Sequence, residues 1–317
     1  MATVQNASVA YNGEYAGQFI AAALLSGSTI ENGGITVKPN VKYQEVIKTL
    51  STNDIVKDGS CDFTDASTVT LDERTLTPEF QQVNLQLCKK DFQNDWTAME
   101  MGFSAFDELP SSFSDFLISH VAAKVAQRTE TSIWEGDTSI SGQFDGITTL
   151  LAADTAHTGA TKITGSSAIS AAATVIDELG SIVDAIPSAV YGSEDLNLYV
   201  SQATARAYIR ALGGFGTSGL GANGTNAMGT QWYNNGSLTF DGVKIFVANG
   251  LADNAAIAAE KSNLFFGTGL LSDIDQEVKV IDMADIDGSQ NVRVVMRFTA
   301  GVNYGIVSDI CSYGIGL

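Results

Sequence analysis

Histidine and cysteine, the side chains most often used as neutral-pH bases, thiolate nucleophiles and zinc ligands, are scarce in this sequence. The chain has two histidines, His120 and His157, and three cysteines, Cys61, Cys88 and Cys311. His120 falls inside an amphipathic helical pattern and reads as structural. His157 sits in ADTAHTGAT, a polar loop with no nucleophile elbow and no cysteine near it. A Ser-His-Asp triad assembles in space rather than in sequence, but no residue pattern points to one. The cysteines and histidines lack zinc-ligand spacing. With 36 acidic residues some carboxylate pair will always exist, so no glycosidase pair is singled out. A hydrolase is the weakest of the functional classes considered, and a pH–rate profile altered by His157→Ala would be its evidence.

Two motifs name a ligand and fail on context. GLGANG at 219–224 matches the dinucleotide-binding glycine pattern literally. That site needs a strand before it and a helix after it, so that a helix N-terminus meets the pyrophosphate. Here a helix precedes the glycines and AMGTQWYNNGS follows, so 213–236 reads as a Gly/Asn loop. DIDG at 285–288 resembles part of a calcium loop. Aligning its glycine with position six puts Met283 at position one and Val294 at position twelve, and neither can ligate calcium through its side chain. Asp287-Gly288 is the expected tip of a hairpin. No cofactor or metal is expected. Trp134 and Trp232 are possible ligand platforms, with Trp134 better explained as a packing anchor at a helix end.

Composition narrows the classes further. The net charge of −19, with 17 basic residues scattered along the chain, argues against gripping nucleic acid through phosphates. MATVQNASVAYNGEY has neither the basic start nor the apolar core of a secretory signal. The longest apolar patch, FIAAALL at 19–25, is far short of the ~18 residues of a membrane span. An odd number of separated cysteines fits a reducing compartment better than a disulfide scaffold. Charged residues make up 17% of the chain, below the usual ~25%, so a neutral, small-residue surface suited to contacts between copies is expected.

The elements follow from periodicity. Residues 1–34 read as an arm with a short helix ending near Gly27. Residues 35–80 are polar and strand-like, with turns at Asn53-Asp54 and Asp58-Gly59. They predict a long two-stranded excursion that returns into a buried strand carrying Val83, Leu85 and Leu87. So long a segment with so few large apolar side chains is a poor core element, and a loop reaching another chain explains it better. Beyond Pro110, Phe113, Leu117, Val121 and Val125 recur every fourth residue. They predict a helix over 112–135, roughly 36 Å long at ~1.5 Å per residue. A second amphipathic helix is expected over 166–186, carrying Ile169, Ile176, Leu179 and Val183. A strand (196–200), a helix (SQATARAYIRAL) and strands at 243–249 and 263–267 follow. A hairpin of EVKVIDM and NVRVVMRF comes next, with Val292, Val294, Met296 and Phe298 on one face and Arg293 and Arg297 on the other. NYGIVSDICSYGI is expected to be a last strand.

The order of these parts, with the long helix running into WEGD…GQFDGI at 134–147 and the strand pair leading to GVNYGI at 301–306, resembles the major capsid proteins of tailed bacteriophages. Encapsulins share that fold. The resemblance covers nearly the whole chain. It implies an α+β capsid fold with an N-terminal arm (1–34), an extended loop (35–80), a peripheral domain (81–159) with a spine helix at 112–135, an axial domain (160–270) and C-terminal peripheral strands (271–317). It further implies a structural protein, not an enzyme, that assembles itself as pentamers and hexamers into an icosahedral shell. Such a shell encloses double-stranded DNA without sequence-specific binding, is built in the bacterial host cytoplasm, and touches no membrane. Scaffolding, portal and decoration proteins are the implied partners. An encapsulin compartment is the alternative, a surface-layer protein a more remote one. Candidate subunit-interface residues are Lys57, Asp58, Glu73 and Arg74 on the loop, Trp134 at the helix end, and Gly219, Gly221 and Asn223 in the axial loop. Many relatives carry a cleaved N-terminal scaffolding segment, for which 1–34 leaves no room. Either a separate scaffolding protein or an already mature sequence is expected. Lys57 sits where some relatives crosslink covalently, and no such crosslink is expected here.

Overall fold

The computed structural model describes residues 28–41, 43–52, 56, 58–59, 61, 68–88, 111–165, 168–212, 238–269 and 279–315, with side chains at 111–119, 279 and 285 excepted. The predicted short helix near Gly27, the axial loop 213–236, Trp232, Lys57, Gly219, Gly221 and Asn223 lie outside these residues.

The longest helix among the described residues, α2 (Ser111–Glu135), matches the predicted span within a residue. Its fourfold apolar repeat places Val121 and Val125 in the core, and Ile133 and Trp134 follow one turn or more later. A short helix, α3 (Ile147–Ala153), packs beside its end.

Among the described residues two sheets organise the body. The first runs β1 (Thr36–Lys38), β10 (Leu264–Thr268), β12 (Asn291–Tyr304), β11 (Lys279–Asp282), and β4 (Glu79–Cys88) also pairs with β12. β4 and β12 are antiparallel from Asn291 opposite Cys88 to Ala300 opposite Glu79. Alternation along β12 buries Val292, Val294, Met296 and Phe298 and exposes Arg293 and Arg297, as period-two patterning requires. The turn between β11 and β12 contains one helical turn, α6 (Ala284–Asp287), closed by Gly288 at φ +72°. Asp287 accepts a hydrogen bond from the Ser289 backbone there.

The second sheet runs β5 (Lys162–Ile163), β13 (Cys311–Tyr313), β9 (Ala256–Glu260), β6 (Leu196–Val200), β8 (Val243–Val247), β7 (Thr239–Phe240). Helices α4 (Val175–Asp184) and α5 (Gln202–Leu212) pack on it through Leu179, Ile182, Ala207 and Tyr208. A separate two-stranded ribbon, β2 (Glu45–Thr52) with β3 (Val69–Leu76), completes the set.

Three expectations need correction. The helix predicted over 166–186 is regular only from Val175, and Ile176, assigned to its apolar face, is 43% exposed. NYGIVSDICSYGI is not one strand. β12 continues through Tyr304, a 3-10 turn (Val307–Asp309) redirects the chain, and β13 joins the other sheet. Strand β9, AIAAE, was not predicted, because its run of small apolar residues has neither alternation nor a β-branched majority.

Candidate assembly surfaces

The ribbon is built two-faced. Residues directly opposite in an antiparallel pair share a face, so Leu50 and Leu71, Lys48 and Glu73, and Val46 and Thr75 stand together on one side. Val46, Leu50, Val69 and Leu71 are 44%, 64%, 57% and 67% exposed. The other face turns to the body, where Ile47 and Leu76 are buried. An isolated two-stranded ribbon is marginal in water, and an exposed apolar strip marks a contact surface. Further out, Val56 and Asp58 are exposed.

The base of the ribbon is fastened by three polar residues. Arg74 Nη2 donates to Asp154 Oδ2 at 2.5 Å, and its guanidinium lies 4.3 Å above the Tyr304 ring. The Tyr304 hydroxyl donates to the same carboxylate oxygen at 2.8 Å. Asp154 is the C-terminal cap of α3, and the Ala156 backbone N–H binds its other oxygen at 2.8 Å. Burial pushes the Asp154 carboxyl up. The Arg74, Ala156 and Tyr304 bonds outweigh it and hold the group at about 2. Asn303 Nδ2 adds a bond to the Thr75 carbonyl at 2.8 Å. Arg74, a predicted interface residue, is therefore engaged within its own chain, while its neighbour Glu73 is exposed.

At the start of the described residues, α1 (Ser28–Glu31) is anchored to α2. Glu130 of α2 is 1% exposed and accepts bonds from the Thr29 backbone N–H (3.1 Å), the Thr29 hydroxyl (2.5 Å) and the Ser28 hydroxyl (3.4 Å). Burial raises the Glu130 carboxyl, and the Thr29 and Ser28 donors oppose that rise. Trp134 Nε1 donates to the Thr29 hydroxyl at 2.8 Å, and the Trp134 ring packs 5.0 Å from that of Tyr199. Trp134 has 0% exposure. It has no surface to offer a neighbouring subunit, and its assignment to an interface is corrected to a core anchor joining α2, α1 and β6.

The WEGD…GQFDGI segment has its own physical reason. The Gly146 N–H binds the Gly136 carbonyl at 2.9 Å. A Cβ on Gly146 would lie 2.6 Å from the Trp134 carbonyl, and one on Gly136 would lie 2.0 Å from the Phe144 carbonyl. The two backbones touch with no room for a side chain, which demands glycine at both places.

His157 does lie in the loop that follows α3, but its side chain points into the protein. It is 1% exposed, and its Nε2 lies 2.7 Å from the Ser312 hydroxyl, which is itself fully buried. Burial first, then Lys162, lowers its pKa. A Ser–His pair closed to solvent on both sides has no path to a substrate. Among the described residues no cluster of metal-ligating side chains forms, and no helix is long and apolar enough to cross a membrane. Sequence reasoning missed Asp154, Tyr304 and Glu130, since nothing in a local pattern links positions 80 to 150 residues apart.

No protein-family model and no curated protein matches the sequence. Solved structures do. The capsid of the native GTA particle, computed with C5 symmetry, superposes with a TM-score of 0.60 at 13% identity, covering 94% of this chain and 93% of that one. The capsid of Myoviridae phage XM1 gives 0.57 at 11% identity, over 94% and 95%. The capsid of cyanophage P-SCSP1u gives 0.54 at 12% identity, over 93% and 91%. Identities this low carry fold alone, and the fold of this chain is the α+β fold of the tailed-phage major capsid proteins.

Proposed function

We propose that the chain is the structural subunit of an icosahedral shell, assembling as pentamers and hexamers around double-stranded DNA. The supporting observation is the end-to-end likeness to capsid subunits, over 94% of this chain and 93% of the GTA capsid chain. The function is mechanical, and the parts have distinct tasks. The spine helix α2, roughly 37 Å long at ~1.5 Å per residue, braces the first sheet. The ribbon β2–β3 presents its apolar outer face to a neighbouring copy and gains there the burial it lacks alone. On this account the domain division is arm, ribbon, peripheral unit and axial unit, in the ranges given above. Scaffolding, portal and decoration proteins complete the particle, which is built in the host cytoplasm and leaves as a virion.

The net charge of −19 has two consequences. Copies repel at low ionic strength, so salt or divalent cations promote assembly. An acidic lining does not trap DNA, which can slide as it is packed. Particles from the native source, treated with nuclease, are expected to retain protected DNA. Particles holding an enzyme cargo and no DNA would overturn this function in favour of an encapsulin compartment.

A further inference from the structure

Two linkers enter the second sheet next to each other. Residues 154–161 lead from α3 to β5, and residues 305–310 lead from β12 to β13. β5 and β13 pair in parallel, with Ser312 opposite Lys162 and Tyr313 opposite Ile163. The first linker grips both ends of the second. Its Asp154 accepts the Tyr304 hydroxyl at the end of β12. Its His157 Nε2 lies 2.7 Å from the hydroxyl of Ser312, the middle residue of β13. The strands themselves are short, three residues in β13 and two in β5, so few backbone bonds seat them beside that second grip.

The two grips respond differently to a proton. Asp154 has Arg74 as its counter-ion. His157 and Ser312 are both buried, and His157 Nδ1 has no hydrogen-bond partner. A neutral imidazole has one N–H, whereas an imidazolium has two. The Ser312 hydroxyl can answer one of them, so protonation leaves a buried, charged donor unanswered, which is costly. The charged groups around the ring do not offset that cost. Lys162 on β5 repels a cation, and the Asp154 carboxylate, which attracts one, is already engaged by Arg74. Ile257, opposite Ser312 on β9, is apolar. Cys311 and Tyr313 point to the other face of β13, where they donate to the Ala185 carbonyl and the Glu178 carboxylate.

We propose that the His157–Ser312 contact is an acid-sensitive latch, closed while the imidazole is neutral and opened by its protonation, that holds β5 and β13 in the second sheet. The latch belongs to the single subunit and does not depend on assembly. When the loop opens, the ring meets water and titrates near the ordinary histidine value of about 6.5. In the closed latch, burial and Lys162 hold it lower. Protons therefore favour the open form. The latch is fully closed above about pH 6.5, and it weakens about tenfold per pH unit below that, until the closed ring itself titrates.

Amide hydrogen exchange of the full chain as free subunits, followed by mass spectrometry from about pH 7.5 to about pH 5 and corrected for intrinsic exchange, tests this. Peptides covering β5 and β13 are expected to lose protection about tenfold between about pH 6.5 and 5.5, while peptides covering β4 and β12 hold theirs. His157→Gln, which keeps a neutral hydrogen-bonding side chain, is expected to abolish the dependence, and His120→Gln to retain it. Should His157→Gln fail to fold, the ¹⁵N shifts of the wild-type imidazole decide alone, with His157 expected to be neutral at about pH 6. Protection at β5 and β13 that is flat across the range would overturn the latch. So would a loss shared equally by β4 and β12, a loss that persists in His157→Gln, or a folded-state ring that titrates at about 6.5 or above.

Discussion

Replacing Asp154 by asparagine tests whether the ribbon base is held electrostatically. Asp154 receives Arg74 Nη2, the Tyr304 hydroxyl and the Ala156 N–H, and these bonds lower its carboxyl from 3.8 to about 2 against the opposing effect of burial. That fall corresponds to roughly 2.4 kcal/mol of preference for the charged form. Water reaches the pair, since the Arg74 side chain is 29% exposed and that of Asp154 14%, and screening reduces the expected stability contribution to roughly 1 kcal/mol. The pKa is depressed on folding, so this stability is complete above the ordinary carboxylate range. It is lost as pH falls from about 4 through about 2. Urea unfolding of free subunits at pH 7 is expected to show Asp154→Asn with an unchanged slope and a midpoint lower by roughly 0.3–0.5 M. The gap between variant and wild type should persist down to about pH 5 and close by about pH 2. A gap that is absent at pH 7, or that stays constant into strong acid, would refute the electrostatic fastening.

Four further outcomes are expected. Gly146→Ala, which drives a Cβ against the Trp134 carbonyl, should lower stability by roughly 3 kcal/mol or more, visible as a shifted thermal midpoint. Leu76→Ala empties a fully buried position at the inner face of the ribbon and should cost about 2–5 kcal/mol, with faster amide exchange in β2 and β3. Glu130→Ala leaves the Thr29 and Ser28 donors without their acceptor and should cost roughly 1–3 kcal/mol. Because burial raises the Glu130 carboxyl, its contribution declines as pH rises above the ordinary carboxylate range, and Glu130→Gln should abolish that slope in a pH series of unfolding curves. Buried Cys311, whose thiol is pushed up to about 12 by burial, should react with a thiol reagent far more slowly than exposed Cys61 in the native chain and at a similar rate once unfolded.

Local patterns carried the elements, and longer-range contacts were invisible to them. The fourfold apolar repeat from Phe113 to Val125 placed the spine helix within a residue of Ser111–Glu135, and the alternation in NVRVVMRF placed the buried face of β12. Both are single-element periodicities, set by backbone geometry. The two-stranded ribbon was legible from composition, because a core-poor polar stretch with turn signals has few other folds open to it. What failed was context. β9 is a run of small residues with no period to read, and the predicted final strand breaks at Val307 because its ends serve different sheets. Arg74 was a candidate for contact with another subunit, and the fold instead brings Asp154 and Tyr304 to it from 80 and more residues away. Trp134 was rightly weighed as a packing anchor on local grounds, and its burial leaves no surface for the interface role assigned to it alongside. The glycines of WEGD…GQFDGI were legible as a pattern, and the backbone crossing that requires them needed the fold.

The proposed assembly of this chain into closed shells is tested most directly by negative-stain electron microscopy of the purified chain, expressed alone and imaged before and after adding salt and magnesium. Closed shells or rings of five and six subunits, more abundant once charge is screened, are the predicted result. Uniform monomers under every one of these conditions, and again when the chain is co-expressed with the genes beside its own, would contradict it.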